Sequence, residues 1–228
     1  MFRNFLKSDA QQKKLRKICA TISFLVLFIV GGCNTSNELI VPGDASGDQA
    51  THTRMLSENC VEIFKAAVVD FKREQFEAAI ERLLKSKSYQ CRGLHEHARA
   101  DQLISLAYLE FQAYDISLEF MISAIESNQL DKALHEQSLY SAAKISYLLG
   151  DYRQALTYIK SYQASSLRSM PAADALKARS LYAMGRKDEA LTVLGLLYEQ
   201  HLTDGQLMRL EWIEFLEKLR SESASSAG

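Results

Sequence analysis

Small residues recur in this chain at a nearly fixed interval, and that interval limits what the chain can fold into. Ala79, Ser117, Ala155 and Ala190 follow one another at spacings of 38, 38 and 35 residues. The clearest copy of the surrounding pattern runs from Leu139 to Tyr162. Ala142, Ala143, Ile145, Ser146 and Leu149 fall at helical spacing before Gly150-Asp151, and Tyr152, Ala155, Leu156 and Ile159 do so after it. Small residues at 143 and 155 let two antiparallel helices approach closely, and Gly150 can take the left-handed conformation that ends a helix. One hairpin of this size cannot bury its own apolar face, so recurrence is a condition of stability.

The pattern recurs four times. Ala67 and Ala79 form the small pair of the first hairpin, with Phe76 just after its turn. Ser105, Tyr108, Tyr114, Ser117 and Ala124 take the matching places in the second. The third has Ala143, Gly150, Tyr152 and Ala155, and the fourth has Ala178, Gly185 and Ala190. The interval and the alternation of small and aromatic residues resemble tetratricopeptide (TPR) repeats, whose period is about 34 residues. That resemblance implies an all-α, TPR-like α-solenoid of about four helix-turn-helix repeats over residues 56–220. Two Pro and ten Gly in 228 residues agree with helices throughout. Residues 205–220 read as a final amphipathic helix, with Leu207, Leu210, Ile213, Leu216 and nearby Trp212 covering the open end of the stack. Residues 221–228 read as a polar, disordered tail.

The amino terminus reads as an address. Arg3, Lys7, Lys13, Lys14, Arg16 and Lys17 precede an uncharged apolar run over residues 18–30. Thirteen helical residues span about 20 Å, short of the roughly 30 Å hydrocarbon core, so the length suits a signal sequence. Val30-Gly31-Gly32-Cys33 resembles the lipobox of bacterial lipoproteins. The resemblance implies a signal peptide over 1–32 and lipid attachment at Cys33. Asn34 after the Cys then implies an outer-membrane address. An uncleaved inner-membrane anchor is the alternative, and both place the remainder in the periplasm. Residues 33–55, rich in Asn, Thr, Ser, Gly and Asp, read as a tether with a reach of roughly 25 Å. Without the first 32 residues the chain keeps 21 basic and 27 acidic groups, a balance of −6, which argues against nucleic-acid binding.

Two cysteines remain beyond Cys33. Cys60 begins the first hairpin and Cys91 follows its end, so both lie at one end of an antiparallel pair. A disulfide fits that placement and an oxidising compartment; two separately buried thiols are the alternative. His95-Glu96-His97 is a poor metal site, because residues two apart on a helix point about 200° from each other. No phosphate-binding loop, nucleophile elbow or zinc-protease signature is present. The expectation is a protein with no catalytic residues, no metal and no cofactor.

Tyr152-Arg153-Gln154-Ala155-Leu156-Thr157-Tyr158-Ile159-Lys160, led by Leu139-Tyr140, resembles the TPR accessory protein of TonB–ExbB–ExbD systems, as does the run over residues 183–190. The resemblance implies a periplasmic scaffold that binds a protein partner in the cell envelope, with TonB, ExbB or ExbD among the candidates. An assembly or pilot lipoprotein for a pilus or secretion complex is the alternative. Repeat alignment places Arg99, Gln102, Tyr140, Lys144, Tyr147, Arg179 and Tyr182 on the concave face that TPR arrays use for peptides. Cations and tyrosines in that arrangement suit an extended segment carrying an acidic group.

Overall fold

The computed structural model of the protein describes residues 56–166 and 170–226. The expected signal peptide, Cys33 and the expected tether lie outside the described residues. The described residues form helices α1 (Glu58–Lys72), α2 (Phe76–Tyr89), α3 (Leu94–Glu110), α4 (Tyr114–Glu126), α5 (Lys132–Leu148), α6 (Tyr152–Ser165), α7 (Pro171–Ala183), α8 (Lys187–Thr203) and α9 (Leu210–Ser226), and no strand. None of these helices is long and apolar enough to cross a membrane.

Each helix packs on the next, most closely within the pairs α1–α2, α3–α4, α5–α6 and α7–α8. One turn design closes all four pairs. A backbone N–H reaches back five residues: Gln75 to the Asp70 carbonyl, Ala113 to Tyr108, Asp151 to Ser146 and Arg186 to Leu181. This is the Schellman arrangement, which satisfies a carbonyl otherwise orphaned at the helix end and needs a left-handed residue just before the donor. Gly150 (φ 80°) and Gly185 (φ 78°) supply it in the last two pairs, whereas Glu74 (φ 60°) and Gln112 (φ 56°) supply it in the first two. A side chain in that conformation costs roughly 1–2 kcal/mol relative to glycine.

The recurring small residues sit where paired helices touch. Ala143, Ala155, Ala178 and Ala190 are fully buried. In the second pair serines take their place and bond reciprocally. Ser105 Oγ donates to the Ser117 carbonyl at 2.7 Å, and Ser117 Oγ donates to the Ser105 carbonyl at 2.8 Å. Close packing and polar satisfaction are met there by one pair of side chains. Asp131 and Asp151 cap α5 and α6 by accepting from the N–H groups of Leu134 and Gln154 at 2.9 and 3.0 Å.

The closing helix differs from the sequence expectation in register. α9 begins at Leu210 rather than near Gly205, because Gly205 (φ 65°) first ends α8. The covering face is therefore Met208, Trp212, Leu216 and Leu219, packed on Ala178, Leu181, Leu194 and Leu197. Leu207 and Leu210 are exposed instead, at 99% and 69%. Nor is the stretch after Ser221 a free tail, since α9 continues to Ser226. Glu222 secures this last turn. It accepts from the Tyr182 hydroxyl at 2.9 Å and pairs with Lys187 at 2.7 Å.

Candidate functional site

Two places in the array gather polar chemistry. The first lies at the amino-terminal end. Cys60 and Cys91 are joined in a disulfide, both fully buried, with Cα atoms 5.4 Å apart. Beside them Glu96, also buried, collects three donors. The Ser57 N–H (2.9 Å) and hydroxyl (2.6 Å) meet one carboxylate oxygen, and the Gly93 N–H (2.8 Å) meets the other. Burial pushes the Glu96 carboxyl up, but the Ser57 and Gly93 hydrogen bonds and the neighbouring His95 outweigh it, holding it below the ordinary carboxylate value. His97 Nε2 meets the Cys91 carbonyl at 2.7 Å. Cys60, Cys91 and Glu96 are near enough to share a cation. With the sulfurs bonded to each other and the carboxylate occupied by three N–H and O–H groups, this cluster works as a clasp. Sequence reading did not find Glu96, since its main partner, Ser57, lies 39 positions away.

The second place is the face shared by the first helices of the pairs, the groove side expected from the sequence. α1 touches α3 and α5 touches α7, so these helices share a side. Tyr140 on α5 lies close enough to Arg179 on α7 and Arg209 just before α9 for their charges to act on its hydroxyl. Burial raises the Tyr140 hydroxyl above the usual phenol range, and the two guanidinium groups oppose that shift. Its ring lies 6.3 Å from the Tyr162 ring, centre to centre. Lys144 stands one turn on from Tyr140 and meets no acceptor or counter-ion among the described residues. Glu211 lies between the two arginines, 4.0 Å from Arg179 and 3.9 Å from Arg209. Leu207 and Leu210 flank Arg209 and face solvent.

Three of the seven residues assigned to this face have other roles. Gln102 is buried and donates to Ser138 Oγ at 2.7 Å and to the Leu134 carbonyl at 3.2 Å, tying α3 to α5. Tyr147 packs within its own hairpin, its ring 5.5 Å from that of Tyr152. Tyr182 is covered by α9, with its ring 5.5 Å from Phe215 and its hydroxyl on Glu222. In each case a neighbouring element takes up the side chain. Arg99 donates to Gln102 Oε1. Burial lowers the Arg99 guanidinium from its ordinary value, and Asp131 opposes the shift. Tyr140, Lys144 and Arg179 remain together. Arg209 and Glu211 join them unforeseen, because the misplaced start of α9 had assigned that segment to covering the core.

Residues 125–196 match the family of the anaphase-promoting complex (cyclosome) subunit 3. No curated protein matches the chain in sequence. Among solved structures, a MamA double mutant ("RS-1 ArsTM") superposes with a TM-score of 0.62 at 9% identity, covering 74% of this chain and 87% of its own. Pseudomonas aeruginosa pilF does so at 0.55 with 16% identity, over 70% of this chain and 67% of its own. A Podosopora anserina kinesin light chain structure of nearly identical TPR-like repeats gives 0.55 at 18%, covering 75% and 99%. With the four hairpins, their shared turn and these likenesses, the described chain is an all-α, TPR-like repeat solenoid.

Proposed function

We propose that this protein is a membrane-tethered, periplasm-facing scaffold that holds an extended segment of an envelope protein, with a component of a TonB–ExbB–ExbD system as the preferred partner. The observation that carries the reading is the groove. Half-buried Tyr140 lies within reach of the charges of Arg179 and Arg209, and Lys144 follows it one turn on along α5. Such a surface offers stacking, hydrogen-bond donors and positive charge to a strand-like segment. The basic flank, the apolar run and Cys33 support the tether and the side of the membrane, and the Cys60–Cys91 bond suits an oxidising compartment.

Site-specific photocrosslinking in intact cells tests the partner. A photoreactive residue at Tyr140 is expected to capture an envelope protein that the same residue at exposed Arg153 does not. Equal capture at both positions would count against the groove. Capture of TonB, ExbB or ExbD supports the preferred system, and pilus or secretion subunits would move the protein to the assembly-factor reading. The mass of the mature chain tests the anchor: cleavage before Cys33 with added acyl mass is expected, and an intact Met1 would overturn it.

A further inference from the structure

Glu211 has a geometry that the groove does not need for stability. Its carboxylate stands at 4.0 Å from Arg179 and 3.9 Å from Arg209, too long for strong hydrogen bonds to either. Both arginines are well exposed on their side chains, at 41% and 68%. Exposed pairs of this kind contribute little to folding. They leave an excess of positive charge at one point, since two arginines share this one acid. Next to it Leu207 and Leu210 hold apolar side chains in water.

We infer that Arg179 and Arg209 form a subsite for an acidic side chain of a bound segment, and that Glu211 is a resident carboxylate which the partner's Glu or Asp replaces. This rests on the groove reading above and adds to it a chemistry, an acidic residue beside leucine-like ones, and an internal competitor. The resident group is itself a glutamate side chain, so the site already shows which carboxylate it accepts. Exchanging one weakly held carboxylate for another costs little. The partner's apolar neighbours, covering Leu207 and Leu210, then favour the exchange.

The test uses the full chain and a fluorescein-labelled, amidated peptide, Gly-Leu-Leu-Glu-Glu-Leu, with a second version carrying Gln for both Glu. Fluorescence anisotropy at low salt should show that Glu211→Gln tightens binding of the Glu peptide by roughly threefold and leaves the Gln peptide unchanged. Glu217→Gln adds the same charge elsewhere on α9 and should change neither. Arg179→Ala or Arg209→Ala should abolish the preference for the Glu peptide. The inference is overturned if Glu217→Gln tightens binding as much as Glu211→Gln, since bulk charge would then explain it. It is also overturned if Glu211→Gln binds both peptides alike, or neither. A Gln peptide with a free carboxy terminus that binds as well as the Glu peptide would reassign the subsite to chain ends. The groove reading fails separately. If Tyr140→Ala with Lys144→Ala leaves binding of the Glu peptide intact, the segment lies elsewhere.

Discussion

The two halves of the array perform the same fold with different chemistry. In α1–α4 the buried polar residues are Asp70, Ser86, Glu96, Asp101, Gln102, Ser105 and Ser117, and nearly all have a specific partner. Arg82 holds Asp70 at 2.8 Å, and Lys87 and Ser123 hold Asp101. A disulfide ties the end. In α5–α9 the buried polar set shrinks to Ser138, Ser146, Ser180 and His201, and the packing falls to alanines, leucines and Trp212. The turns differ in parallel, with strained Glu74 and Gln112 in the first half and glycines in the second. Covalent and polar links therefore carry load where the generic pattern is weakest, and packing suffices where it is strongest. The family match over residues 125–196 falls mainly on the packed half.

Substitutions that act on one half should separate these modes. Trp212→Ala removes the largest side chain of the closing cluster and should destabilise by about 3–5 kcal/mol. Hydrogen exchange should locate the loss in α7–α9, leaving α1–α3 protected. Replacing Cys60 and Cys91 together by Ala opens a 31-residue separation and should cost about 3–4 kcal/mol in the chain-entropy account. Here the loss of protection should fall on α1 and α2. Equal losses across the chain in both variants would show one cooperative unit and erase the contrast.

Glu96→Gln should cost about 1–3 kcal/mol at neutral pH, since three donors lose a charged acceptor. The folded carboxyl sits below its ordinary value of 4.5, so its contribution is complete above that pH and is lost as pH falls through the lowered value. Thermal melts at pH 7 and pH 3 should show the gap between wild type and variant closing in acid. A gap that persists at pH 3 would mean that shape rather than charge makes the clasp. The smallest effects belong to the turns. Gln112→Gly should stabilise by about 1 kcal/mol and Gly150→Ala should destabilise by a similar amount, read from denaturation midpoints.

The same contrast explains what was legible in the sequence. Gly150, Gly185 and the alanines at 143, 155, 178 and 190 reveal α5–α8, because backbone conformation and helix spacing dictate those residue types locally. Glu74 and Gln112 carry no such signal, and the first two turns were found only through the interval. The cysteines were legible because one end of a hairpin holds both. Glu96 was not, because its main partner, Ser57, lies in a distant segment. The groove was legible only in part. Periodicity grouped Tyr140, Lys144 and Arg179 but could not show that α9 shields Tyr182 or brings Arg209 near Tyr140. A shift in the start of one helix moved Leu207 and Leu210 from core to solvent.

The clasp also decides what happens when the domain is pulled. Were the domain pulled from its amino terminus, as the proposed tether implies, tension would reach Ser57 first. Two hydrogen bonds pass that tension from Ser57 to Glu96, at the start of α3. If they yield, only the few residues before Cys60 can extend before the disulfide comes taut and delivers the force to Cys91. The 31-residue separation between the cysteines, about 100 Å of extended chain, is withheld from stretching. Force on the lead thus bypasses the hairpin with the strained turn and reaches the array at α3.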